Sequence, residues 1–332
     1  MEQIAIQRRI DLMCNLGGWL QMNDTSWQAA KDRAAHSNPW FTPNHVELAV
    51  NNIAEQFLQR DKLEQWLSAY TLPAVVKTVG IVMAGNIPLV GFHDFLCGFM
   101  SGHKLMLKLS SKDEILLPYL LRKLGEWEPA VLEQVTIAER LNNCDAYIAT
   151  GSNNTARYFE QYFAKYPHII RKNRTSVAVL DGTETDAELE QLADDVYVYY
   201  GLGCRNVTQV CVPEGYDFAH LLQVLGKHNG YAHMHKYKNN YDYHLAIYLL
   251  NKVPYMSNES LLMVENALPF SAVSVLHYRY YADKQQLVQE LQASEDVQAI
   301  IGKGLIPFGD AQKPALSDYA DGVDTMQFLC SL

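Results

Sequence analysis

The spacing of apolar residues along the chain changes near residue 75. Residues 1 to about 72 read mostly as helices, punctuated by Pro39, Pro43 and Pro73. Beyond them strands and helices alternate. Val75 to Met83 is an apolar, β-branched run suited to a buried strand. Residues 89–101 read as a helix and Lys104 to Leu109 as a short strand. The next helix carries Leu117, Leu120, Leu121 and Leu124 on one face. Val131 to Ala138 and Ala146 to Thr150 read as strands, Asn153 to Ala164 as a helix, and Ser176 to Leu180 as a strand. A helix from about 186 to 200, with Leu189, Leu192, Ala193 and Val196 on one face, runs into Gly201-Leu202-Gly203-Cys204. Asn206 to Pro213 then starts a second α/β unit. The Tyr-rich, polar stretch 228–258 shows no clear period. Ser271 to Tyr281 reads as a strand and Asp283 to Ala293 as a helix. The tail, Gly322 to Leu332, alternates like an edge or pairing strand.

Alternation of this length predicts an α/β fold, a parallel sheet with helices on both faces. The expected domains are a helical N-terminal segment with a doubly wound, dinucleotide-binding domain over 1–200, a second α/β domain over 201–310, and a tail over 311–332. Ligands of such sheets sit beyond the carboxyl ends of the strands. Composition narrows the partners. A net charge of −10 with no basic stripe disfavours nucleic acid and anionic membranes. The sequence holds no run of 18 apolar residues, so no bilayer-spanning segment is expected. Met1 to Leu20 is broken by Glu2, Arg8, Arg9 and Asp11, unlike a signal peptide, so a cytoplasmic location is expected. The six cysteines show no CxxC pair or framework spacing, and most are expected reduced and inert.

Three strand-to-helix or helix-to-strand turns hold candidate chemistry. In Met83-Ala84-Gly85-Asn86-Ile87-Pro88, Asn86 either caps a helix or offers its amide to a developing oxyanion. In Thr150-Gly151-Ser152-Asn153, backbone N–H groups at a helix start suit a pyrophosphate, or the turn is a plain cap. In Gly201-Leu202-Gly203-Cys204-Arg205-Asn206, Cys204 is either an exposed nucleophile helped by Arg205 or a buried structural thiol. His233 and His235, with His228 and His244 nearby, lack a carboxylate or Cys at ligand spacing, so no metal is expected. His93 and Asp94 line a substrate channel or are satisfied in the core. The acidic run Glu184 to Asp195 reads as a solvated helix face. Phe92, Phe95, Phe99 and Met100 line an apolar tunnel or, at helical spacing, form core.

In this order the turns resemble the aldehyde dehydrogenase superfamily, most closely its acyl-CoA reductase branch, the long-chain reductases that supply fatty aldehyde to bacterial luciferase. "VGIVMAGNIPLVGFHDFLCGFMSGHKLMLKLSSKDE" looks like the superfamily's strand, Asn-x-Pro turn, helix and strand end. "YIATGSNNTARYF" is similar to its Gly-Ser pyrophosphate turn, and "GLGCRNVTQVCVP" to its nucleophile loop. "PFGDAQKPALSDYADGVDTMQFL" looks like the tail of the reductase branch. The resemblance spans about residues 75–332.

The resemblance implies that Cys204 takes the acyl group, with the Asn86 side chain and the Cys204 backbone N–H as oxyanion hole. Lys108 with Ser110 and Ser111 would meet the adenosine ribose, and Gly151-Ser152 the pyrophosphate. Ser111 falls where NAD-preferring members often carry a glutamate. A serine there, beside Lys108 and Lys112, leaves room and positive charge for a 2′-phosphate, which points to NADPH, with NADH as the other cofactor. Aldehyde-oxidising members carry a general-base glutamate. The corresponding "IIRKNRTSVAVL" holds no carboxylate, Asn173 being the nearest equivalent. Water attack on the thioester then lacks a base worth about 10²–10⁴-fold, as a reductase requires. The implied reaction is NAD(P)H-dependent reduction of an acyl thioester, acyl-CoA or acyl-protein, to an aldehyde. The implied partners are an acyl-activating enzyme that hands over the acyl group and a second copy paired through the tail. A non-redox cysteine acyltransferase or thioesterase, or a non-catalytic subunit keeping the fold, are the alternatives.

Overall fold

The computed structural model describes residues 4–22 and 24–332. The chain forms two compact units, Met1–Asn173 with Pro314–Leu332, and Arg174–Lys313. The division comes before the 200/201 boundary expected from the sequence, because the strand at 175–179 pairs with the later strands rather than the earlier ones.

The first unit opens with four helices, α1 (Ile6–Leu20), α2 (Thr25–Ser37), α3 (Pro43–Gln56) and α4 (Arg60–Leu67). Asp24 caps α2 through the N–H groups of Ser26 and Trp27. Thr42 caps α3, and Pro43 takes the first helical position, where its missing N–H costs nothing. Then follow β1 (Thr78–Val82), α5 (Phe92–Ser101), β2 (Lys104–Lys108), α6 (Leu116–Trp127), α7 (Ala130–Gln134), β3 (Val135–Ile137), β4 (Ala146–Thr150), α8 (Asn153–Phe163) and β5 (His168–Arg171). The strands form one parallel sheet in the order β3-β2-β1-β4-β5. The strand expected over 131–138 shrinks to three residues. Pro129 starts a turn of helix that buries Val131, and only the edge strand β3 remains. Phe92, Phe95, Phe99 and Met100 are buried in the core of the first unit, as their helical spacing allows.

The second unit holds β6 (Thr175–Val179), α9 (Asp186–Tyr197), β7 (Val207–Pro213), α10 (Phe218–Leu225), α11 (His235–Leu250), β8 (Met256–Ser257), β9 (Leu262–Glu265), β10 (Val275–Tyr281), α12 (Lys284–Ala293) and β11 (Val297–Gly302). Its sheet runs β11-β6-β7-β10-β9-β8, parallel except for β8. A capping box, Thr185 with Glu188, starts α9.

The tail then returns to the first unit. The strand expected over 322–332 is instead a helix, α13 (Thr325–Cys330), capped by Asp324. Its apolar residues Met326 and Leu329 lie three apart, a helical spacing, and both are fully buried in the core of the first unit.

Candidate active site

In the first unit β1 is flanked by β2 and β4, with Val82 level with Lys108 on one side and Ala149 on the other. The chain leaves β1 toward β2 and β3, then returns to pair β4 on β1's other side. That reversal is the switch point where ligands bind such sheets. The loops carrying Asn86, Ser110 and Ser111, and Gly151 and Ser152 all leave this carboxyl edge.

Asn86 is half-buried in the loop between β1 and α5. It does not cap α5, whose N-cap is Gly91. Gly85 shows why glycine stands beside it. A Cβ there would fall 2.6 Å from Ser110 Oγ and 2.7 Å from Ser110 Cβ. The Asn86 loop and the Ser110–Asp113 loop are thus packed on one another. Ser110 Oγ accepts the Lys112 N–H at 3.3 Å, and the Asp113 N–H donates to Ser110 O at 2.9 Å. Lys108, Ser111 and Lys112 are exposed. Ser152 caps α8 by accepting the Thr155 N–H at 3.3 Å.

Asn173 is exposed, its N–H donating to Asn153 Oδ1 at 3.1 Å. The preceding Arg171 is buried and grips both oxygens of Asp94 at 2.6 Å and Thr325 Oγ1 at 2.7 Å. Burial would lower its pKa, but the Asp94 charge and hydrogen bonds overcome this and hold it above the ordinary value. His93 lies beside Leu316 O at 3.0 Å and stacks on Phe57. Both residues therefore serve the core and the tail.

In the second unit Cys204 stands half-buried in a turn just before β7; Cys14 in α1 and Cys330 in α13 are also half-buried, whereas Cys97, Cys144 and Cys211 are buried. Three successive residues before it, Tyr199, Tyr200 and Gly201, take left-handed φ values of 55°, 58° and 74°. Left-handed tyrosines cost roughly 1–2 kcal/mol each, so other contacts must hold the segment. Asn206, fully buried, supplies them. Its side-chain NH₂ donates to the carbonyls of Asp195 at 3.0 Å and Val198 at 2.7 Å, and its Oδ1 accepts the Gly203 N–H at 2.8 Å. Ser176 Oγ donates to Cys204 O at 3.1 Å.

Asp195 corrects the reading of 184–195 as a wholly solvated face. It is 1% exposed, and its carboxylate accepts the Gly309 N–H at 2.7 Å and the Ala311 N–H at 3.2 Å. Burial pushes its pKa up to about 7. Asn206 and Asp195 carry no motif of their own. The available signal for Asp195 was its place three residues after buried Leu192, on the same helical face. His228 pairs with Asp194 at 2.7 Å. Among the described residues no group of three His, Cys, Asp or Glu could hold a metal, and no helix is long and apolar enough to cross a membrane.

Residues 36–226 match the family described as acyl-CoA reductase (LuxC), more than half of the 332-residue chain. The chain belongs to the LuxC acyl-CoA reductase family. Membership makes it an oxidoreductase of acyl and aldehyde groups, and the matched residues include Asn86, Lys108, Gly151 and Cys204. No curated protein matches the sequence. The LuxC-family chain is similar in fold to aldehyde dehydrogenase 21 from Physcomitrella patens, in complex with succinate (TM-score 0.69, 11% identity, 90% of this chain and 74% of that one). It is also similar to an oxidoreductase from Marinobacter aquaeolei (TM-score 0.68, 12% identity, 91% and 74%). A third likeness is the NAD+ complex of aldehyde dehydrogenase from Bacillus cereus (TM-score 0.63, 13% identity, 90% and 71%). The fold of this LuxC-family member is therefore aldehyde-dehydrogenase-like.

Proposed function

We propose that this chain reduces an acyl thioester to an aldehyde with NADPH, through an acyl group held on Cys204. The observation that carries the reading is a half-buried thiol at the tip of a turn pinned by buried Asn206, in a LuxC-family chain. The donor set of the first unit fits a nicotinamide dinucleotide. Lys108, Ser111 and Lys112 are exposed beyond β2, and residues 108–112 contain no carboxylate to repel a 2′-phosphate. Gly151 and Ser152 begin an eleven-residue helix whose N-terminal dipole favours an anion.

The Cys204 thiolate attacks the thioester carbonyl, a new C–S bond forms, and the donor thiol leaves. Asn86 and the Cys204 backbone N–H steady the negative charge on the carbonyl oxygen. When bound, the reduced cofactor supplies the hydride that turns the acyl-enzyme into a hemithioacetal and then free aldehyde. Asn173 and its neighbours provide no carboxylate to activate water, which protects the acyl-enzyme from hydrolysis. The acyl group comes from coenzyme A or from a carrier or acyl-activating protein.

Purified protein with NADPH and an acyl-CoA series, beside Cys204→Ala, tests the reading. Cys204-dependent NADPH oxidation with equimolar aldehyde is expected, and the variant should lose it. Full turnover by Cys204→Ala would end the proposal.

A further inference from the structure

The Asn86 loop contains a strained residue of its own. Leu89 adopts a left-handed φ of 54° while 4% exposed. A left-handed leucine persists only where its surroundings over-determine it. Its N–H donates to Asp113 Oδ2 at 2.8 Å. Asp113 closes the turn that begins at Ser110, its own N–H donating to Ser110 O. Asn38 braces that turn from outside, Nδ2 donating to Lys112 O at 3.2 Å. Gly85 and Ser110 meet at the loops' other contact. Asp113 also faces a small cavity beneath the loop, bounded by Met83, Ala84, Leu89 and Phe92. Among the described residues no basic side chain pairs with it. Burial pushes its carboxyl up to about 6, against the pull of the Leu89 and Leu116 N–H groups.

Asp113 is part-buried, and withdrawing a carboxylate from water without a cation costs stability. Its contacts join two loops to which the proposed chemistry gives separate duties. We propose that Asp113 is a positioning residue that ties the ribose-side turn Ser110–Asp113 to the Asn86 loop, so that the Asn86 amide is held for the developing oxyanion. This rests on the reductase reading above. Asp113 touches neither substrate nor cofactor; it acts through the Leu89 N–H.

Asp113→Leu removes the acceptor, while Asp113→Asn keeps an oxygen for Leu89. Turnover is measured per folded molecule, on the native fraction isolated by size-exclusion chromatography, because an unfolded chain exposes all six of its free thiols. Misplacing a reacting group by 1 Å can cost about 10²-fold. With Asp113→Leu, kcat per site should fall about 10- to 10²-fold while the KM for acyl-CoA changes little. Asp113→Asn should restore most of it. Amide hydrogen exchange of residues 84–91 should quicken in Asp113→Leu but not in Asp113→Asn, with the α8 segment unchanged as a control. Unchanged exchange at 84–91 in Asp113→Leu would overturn the tether, as would faster exchange with unaltered kcat per site. If the wild-type protein showed no Cys204-dependent turnover, the reductase reading and the catalytic duty given to Asp113 would fail together. Exchange at 84–91 would then judge the tether alone.

Discussion

The nucleophile proposed at Cys204 needs backbone that does not wander, and the Asn206 side chain meets this need. One buried amide reaches the end of α9 and the start of the Cys204 turn. Asn206→Ala leaves buried carbonyls and the Gly203 N–H without partners, at about 1–3 kcal/mol for each such group. Urea denaturation should show a loss of a few kcal/mol, and the alkylation rate of Cys204 should change in the molecules that stay folded. An unaltered midpoint together with an unaltered rate would contradict the assignment. Asp195 works from the other end of the same clamp, and its titration is directional. Its folded pKa of about 7 lies above the ordinary 3.8, so the folded form binds the proton more tightly. The stability it contributes is full below about pH 4 and is lost as pH rises through 7. The range corresponds to at most about 4 kcal/mol. Asp195→Asn should therefore flatten the decline in urea midpoint between pH 5 and 8, and an identical decline in both proteins would refute the role.

Among the elements, what the sequence revealed and what it hid divide along physical lines. The interior strands β1 and β4 were legible as apolar runs buried along most of their length, and β2 from its alternation between Lys104 and Lys108. The helix α6 was legible from its leucine stripe. The edges were not. β3 is short, and β5 carries His168 and Arg171 in a run that gives no periodic signal. The tail misled because its alternating residues also satisfy a helix once Asp324 caps it. Its true place is specified by distant polar contacts that no local pattern encodes. His103 accepts the Lys77 N–H at Nδ1, which leaves Nε2 as the donor to Leu329 O at 2.9 Å. Tyr319 takes the Trp66 N–H at 2.7 Å, and Tyr70 donates to Asp324. Of the candidate site, the turns bearing Asn86, Gly151 and Cys204 stand out in the sequence as motifs. The polar residues bonded beside them, Asp113, Asn206 and Asp195, do not stand out, since such a contact needs only one polar side chain at the right depth.

At the scale of the whole molecule, the second unit, 174–313, interrupts the sequence of the first. The first unit is finished only by residues 314–332, which bury Met326 and Leu329 in its core and give Arg171 and His103 their last partners. A chain truncated after Lys313 should keep slow amide exchange in β6, β7 and β10 while α5 and β5 exchange fast. Equal protection of α5 in the truncated and full chains would show that the tail is dispensable.

The same arrangement sets an order of events during synthesis. The ribosome delivers the second unit whole before it releases the segment that closes the first, and domains generally fold as units when complete. The apolar α5 surface destined for α13 must wait through the synthesis of the entire inserted unit. For that interval the apolar face of α5 lacks the cover that Met326 and Leu329 of α13 later give to the core of the first unit.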